Sequence, residues 1–426
     1  MVAVVAVMLL SASSLSAQGT TPSTKQNAGK ATASVNDPGG TPKDYRSQWF
    51  FLHTDLSGAE AQDLLKRLEK MLSLISRYWA KPPQKMIEIY VVKDLKNWPA
   101  GKIDNDAMQS LTSGGGITLT RGYIMSGSPT STDPNNKPVM RDATAVCYAV
   151  ADRGTPQHEA VHAYCAQTFG TTGPTWYSEG MAEMGQYWRD GENRDVQIHP
   201  GIIRYFQAEK VKSLNGIVNN RESTGDSWQN YAWRWALCHL LANNPNYNNR
   251  FRPLGLELLQ GKNNLFEPTY GDFANEMSFE YKFFIENIDN GYRVDLCSFD
   301  WKKKFLPLQG TAGPTAIVLA DRGWQPTQAT VLTEKTYEYT ATGSWQVSKE
   351  SGNVGAAGDS TGRGRLVGTI LQKTVGEYTL SEPFELGASG DFTPPANGEL
   401  WVRCQDAWNE LADNKGKLTL KLKIKP

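Results

Sequence analysis

Cysteine and histidine are both scarce, with five of each in 426 residues. Cys147, Cys165, Cys238, Cys297 and Cys404 are widely spaced and form no Cys-x-x-Cys pair, which argues against a zinc site built on cysteine. Cys165 and Cys238 fall on expected helices and read as small core residues. In an exported chain one or two disulfides are permitted, and spacing does not say which cysteines pair. An excess of either charge is missing as well: 44 basic and 44 acidic residues are intermixed. That leaves no electrostatic footprint for nucleic acid or for an anionic membrane surface. Long apolar runs are also lacking. The nearest is residues 2–10, too short to span a bilayer, so no transmembrane segment is expected.

That short run is followed by small residues from Ser11 to Ala17. The pair resembles the core and cleavage region of a signal peptide, residues 1–17, with cutting near Ala17 and export to the periplasm, cell surface or exterior. No Lys or Arg precedes the run, which fits a true start upstream of Met1. The alternative is an apolar N-terminus on a cytosolic protein. Residues 18–44 are rich in Thr, Ser, Gly, Ala, Asn and Lys and read as a disordered linker.

What is present is concentrated in one stretch, His158-Glu159-Ala160-Val161-His162. Two histidines four apart share one face of a helix, so both imidazoles reach one metal ion, and a glutamate beside the first suits a general base. Thr155 is a candidate N-cap, Pro156 suits the first helical position, and Gly170 is a natural stop after Phe169. A turn, residues 171–174, leads to a second helix expected over residues 175–189. Two helices joined by so short a turn pack antiparallel, and Glu179 or Glu183 comes back towards the histidines. These glutamates are one helical turn apart, so one can bind metal while the other accepts a histidine ring N–H. The plain alternative is that both are solvated helix surface.

The His-Glu-x-x-His helix followed by Trp176, Glu179, Gly180 and Ala182 (Trp-x-x-Glu-Gly-x-Ala) resembles the gluzincin zinc metallopeptidases. The resemblance, specific over residues 155–241, implies zinc held by His158, His162 and Glu179, with Glu159 as the base and Glu183 orienting a histidine. The spacing from His162 to Glu179 is shorter than in the best-known gluzincins, which leaves Glu183 open as the third ligand instead. The apolar helix over residues 231–242 resembles the one after the zinc site in zinc aminopeptidases, where a tyrosine at its start stabilises the oxyanion; that role falls on Tyr231. Its alternative is a core aromatic. His239 and His199 are weaker candidates for the same task. Gluzincins also place a sheet edge beside the zinc, where a polypeptide substrate adds as a strand. Residues 142–151 and residues 117–124 both qualify as that edge.

Elsewhere in residues 45–310, residues 59–79 have helical spacing, residues 86–92 alternate as a strand, and further helices are expected over 202–211, 249–260 and 272–287. This mixture reads as an α+β, gluzincin-like metallopeptidase domain. After residue 310 helical periodicity stops. Short β-rich runs separated by Gly, Pro, Asn and Asp, such as residues 316–319, 337–341, 366–370, 399–403 and 417–422, read as an all-β sandwich over residues 311–426.

The frame Gly323-Trp324, Trp345, Leu366-Val367-Gly368 and Leu400-Trp401-Val402-Arg403 resembles the bacterial galactophilic lectin domain. That resemblance implies a calcium loop starting at Asp406 and ending at Asp413-Asn414, with Gln405 where the family has Asn, and a carbohydrate partner. Hard oxygen ligands suit calcium; Asn and Asp also favour plain polar turns. The expected activity is hydrolysis of peptide bonds by an exported, zinc-dependent metallopeptidase. The alternatives are an inactive peptidase-fold protein whose sandwich binds carbohydrate, and a zinc amidase acting on cell-wall material.

Overall fold

The computed structural model describes residues 5–8, 37–125, 138–190, 194–219, 227–309, 313–350 and 352–425. Most of the expected signal peptide, and residues 18–36 of the expected linker, lie outside the described residues. The chain is α+β and divides into two compact units: Met1–Trp188 with Leu214–His239 and Arg250–Thr269, and Arg189–Ser213 with Leu240–Asn249 and Tyr270–Pro426.

The first unit is built on a six-stranded sheet. Its strands are β1 (Val5–Met8), β2 (Lys43–Arg46), β3 (Phe50–Thr54), β4 (Ile87–Val92), β5 (Gly116–Ile124) and β6 (Met140–Val150), in the order β1-β5-β6-β4-β3-β2. Folded structure therefore starts earlier than the linker boundary at residue 44. β6 pairs with β4 in parallel and with β5 antiparallel, so it is an inner strand. The sheet edge expected from residues 142–151 is thus not an edge. Nor is β5, which lies between β1 and β6; the edges of the sheet are β1 and β2.

Helix α1 (Gly58–Trp79) begins with a reciprocal cap: the Ser57 side chain accepts from the Glu60 backbone N–H, and Glu60 reaches back to the Ser57 N–H. It buries Leu64, Leu65, Leu68, Met71 and Leu72, the apolar stripe of its sequence. After α2 (Asn105–Thr112) come the two helices that carry the metal-site motif, α3 (Thr155–Phe169) and α4 (Thr175–Tyr187). Thr155 does not cap α3. It is the first helical residue, and the Asp152 carboxylate does the capping, accepting from Gly154 N at 2.8 Å and Thr155 N at 2.6 Å. α3 ends at Gly170 in the left-handed region, φ 79°. α4 runs close to the helix Trp228–Asn243: a Cβ on Gly180 would lie 2.7 Å from the Arg234 carbonyl and collide with Cys238 Sγ. No described helix is long and apolar enough to cross a membrane.

In the second unit, strands Thr315–Leu319, Tyr337–Gln346, Ser389–Phe392 and Lys415–Ile424 form one sheet. Gln325–Val331, Leu366–Thr374 and Gly398–Cys404 are the long strands of the other. Val318, Trp345, Leu418 and Leu420 from the first sheet share a core with Ala329, Leu366, Ile370 and Leu400 from the second, the arrangement expected of a sandwich. The unit does not begin near residue 310. Phe279 of the helix Ala274–Glu286 and Phe299 pack with Trp324, Val367, Leu371 and Trp401 on the sandwich. Buried Glu280 fixes this region, accepting from Asn244 Nδ2 at 3.1 Å, Phe299 N at 2.8 Å, Trp301 Nε1 at 3.1 Å and the Tyr247 hydroxyl.

Candidate metal centre

The turn between α3 and α4 folds one helix back on the other, and three side chains converge. His158 Nε2 and His162 Nε2 are 3.1 Å apart. Glu179 Oε2 lies 3.2 Å from His162 Nε2 and 3.4 Å from His158 Nε2. The tetrahedral edge for metal–ligand bonds of roughly 2.05 Å is about 3.3 Å, so these three atoms are spaced as ligands of one small cation. The two histidines are buried and Glu179 is half-buried, and together they could hold a metal ion. Aiming two imidazole lone pairs and a carboxylate at one point is unfavourable unless a cation or protons fill it.

The charges respond accordingly. Burial alone would raise the Glu179 carboxyl, but His162 and His158 outweigh it and hold it well below the ordinary value. Burial works against protonation of His158, yet Glu179 and Glu183 beside it drive its pKa well upward.

Further residues hold these three. Glu183 Oε1 approaches His158 from the other side of the ring, 3.1 Å from Nδ1, at ion-pair distance but off the line of a ring N–H hydrogen bond. Ser178 Oγ is 3.4 Å from His162 Nδ1. Of the two glutamates, Glu179 therefore faces the paired Nε2 atoms and Glu183 backs a histidine.

Glu159 points from α3 towards the sheet. Its burial pushes its pKa up, partly offset by the two histidines. Thr118 on β5 donates to Glu159 Oε2 at 2.6 Å, and the Cys147 thiol lies 3.3 Å from the Glu159 carbonyl. Gly116, at the start of β5, leaves the space that Glu159 needs: a Cβ there would sit 2.8 Å from its Cγ and Oε1. Sequence reasoning had no role for Thr118 or Gly116. A Gly-rich start to an apolar strand was the only local signal.

Tyr231 stands next to the centre, its ring centroid 6.1 Å from that of His158, and the Arg234 guanidinium lies over the Tyr231 ring, 5.6 Å from its centroid. His239 does not join them; it is buried with its ring centroid 5.1 Å from that of Trp235. Nor does His199, which caps the helix Pro200–Ala208 by accepting from Gly201 N at 3.0 Å. All five cysteines are free and buried.

The second expected site lies in the sandwich unit. Asp406 and Asn414 do come together, with Asn414 Nδ2 donating to Asp406 Oδ2 at 2.9 Å. Asp413 ends a short 3-10 turn, Leu411–Asp413. The Asp406 carboxylate, however, is already engaged by Arg363, a residue that the sequence reading passed over. An oxygen cage for calcium does not fit around a carboxylate so occupied.

No family model matches this chain, and no curated protein matches it. Among solved structures it is similar to one described as "EclA N-terminal domain; PllA-like lectin", with 17% identity and a TM-score of 0.22 over 27% of this chain and 98% of that one.

Proposed function

We propose that this chain is an exported zinc metallopeptidase. The observation that carries the reading is the His158–His162–Glu179 triangle, whose 3.1, 3.2 and 3.4 Å edges match tetrahedral coordination. An N,N,O donor set of this kind suits zinc and leaves a fourth position for water or substrate. Zinc bound there would acidify a water and polarise a carbonyl.

The chain's own groups then divide the remaining work. Glu159 takes a proton from the attacking water and returns it to the leaving amine. Thr118 holds one of its carboxylate oxygens, which leaves the other, on the Gly116 side, for that proton. Glu183 and Ser178 keep the two imidazoles oriented. Tyr231 supplies a hydroxyl to the oxygen of the tetrahedral intermediate. Cleavage near Ala17 would remove β1, and β5 would then offer backbone groups to an extended polypeptide.

For the sandwich unit we propose an accessory role in binding carbohydrate. Its support is the residue frame from Gly323 to Arg403 and an open cavity of about 450 Å³ beside Arg363 and Asp413.

The test is metal analysis of purified protein together with hydrolysis of casein and labelled peptides, with Glu159→Gln as control. One zinc per chain and hydrolysis abolished in that variant support the reading. Zinc without hydrolysis of any peptide, but with release from labelled peptidoglycan, moves it to a cell-wall amidase. Glycan-array binding by the full chain tests the sandwich.

A further inference from the structure

The loop from Asp406 to Asn414 gathers Asp406, Glu410 and Asp413, and three carboxylates in one short loop call for a cation. The chain brings one. Arg363 Nε donates to Asp406 Oδ1 at 2.7 Å, and its Nη2 reaches Asp406 Oδ2 at 3.3 Å, Glu410 Oε2 at 2.7 Å and the Val347 carbonyl at 2.8 Å. This is a forked guanidinium–carboxylate pair with two further acceptors, the strongest kind of side-chain hydrogen bonding. The remaining valences of Asp406 are met by Ala407 N at 2.9 Å and Asn414 Nδ2 at 2.9 Å. The Asp406 side chain is 2% exposed and that of Arg363 is 35% exposed, so the pair closes the loop from the inside while one face of the guanidinium meets solvent. A calcium ion needs about six to eight oxygens at roughly 2.3–2.6 Å. To take Asp406 it would have to expel the guanidinium and leave a like charge beside itself.

We infer that Arg363 takes the place of a divalent cation in this loop, so that the loop and the cavity beside it are formed without calcium. Ser348, Glu350, Asn409 and Asp413 line that cavity with Arg363 and Glu410. Hydroxyl, amide, carboxylate and guanidinium groups are all present there, and a polyhydroxylated ligand would be held by direct hydrogen bonds rather than through a metal ion.

The experiment is thermal unfolding of the zinc-loaded full chain in calcium-free buffer and in about 5 mM calcium chloride, well above the range for extracellular calcium modules. The expected change in Tm for the wild-type chain is below about 1 °C. Arg363→Gln strands a buried carboxylate and lowers the Tm of the second unit by about 5 °C or more. Arg363→Lys keeps the charge without the fork and lowers it by less, which covers the case in which Arg363→Gln does not fold. The inference is overturned if calcium raises the wild-type Tm by several degrees and Asp406→Asn removes that rise. It is equally overturned if both Arg363 variants melt with the wild type.

Discussion

A cluster of electron-donating side chains in the first unit and another in the second differ in where the balancing positive charge comes from. In the first unit His158, His162 and Glu179 meet within 3.4 Å of one another along every edge, and, against burial, it is the two histidines that lower the Glu179 carboxyl. In the second unit Asp406 and Glu410 meet around Arg363 at 2.7 Å. A converging set of donors does not by itself announce a metal site. What matters is whether the chain supplies the balancing positive charge from its own sequence. Where it does, the donors are a structural ion-pair network; where it does not, the geometry asks for an ion from outside.

That contrast can be broken or sharpened by experiment. The largest effect belongs to Glu159→Gln, which should lower kcat by roughly 10³-fold with zinc content unchanged, the usual scale for a general base; peptide hydrolysis alongside metal analysis measures both. Next comes the metal itself. Zinc at about a thousand times its Kd should stabilise the first unit by about 4 kcal/mol, seen as a rise in its melting transition, and His162→Ala should remove both the rise and the bound zinc. If the chelated protein melts unchanged, the converging donors need no ion and the contrast disappears. Thr118→Val, nearly isosteric, should slow kcat by roughly tenfold, about 1.4 kcal/mol in the barrier, with KM little altered, and Thr118→Ser should restore most of the loss. The smallest effect would make the second cluster imitate the first: calcium should return about 2 °C of the Tm lost in Arg363→Gln, because the loop then lacks its own cation.

How much of this was legible in the sequence follows from how local each signal is. The α3 helix, its stop at Gly170 and the return of α4 are set by neighbouring residues, and the spacing of His158 and His162 is enforced by helix geometry alone. The strands of the sandwich likewise come from alternation and turn residues. Pairings across long stretches of chain were not legible. That β5 and β6 both lie inside the sheet depends on which partner takes each side, and two apolar runs of similar composition do not declare that. Thr118 precedes Glu159 by 41 residues, and Arg363 precedes Asp406 by 43. A spacing rule that finds Asp406, Asp413 and Asn414 has no view of a guanidinium so far away. The division at residue 310 missed for the same reason: composition changes there, while Phe279 and Phe299 pack forward onto Trp401.

The tight crossing at Gly180 carries a consequence for watching the first unit at work. Cys238 is wedged against that glycine, buried, with its thiol pushed above the ordinary pKa by burial. An alkylating reagent cannot reach it while α4 stays seated on its neighbour, and α4 is the helix that delivers Glu179. The rate at which this one thiol becomes labelled is therefore a natural clock for how often the third ligand swings free.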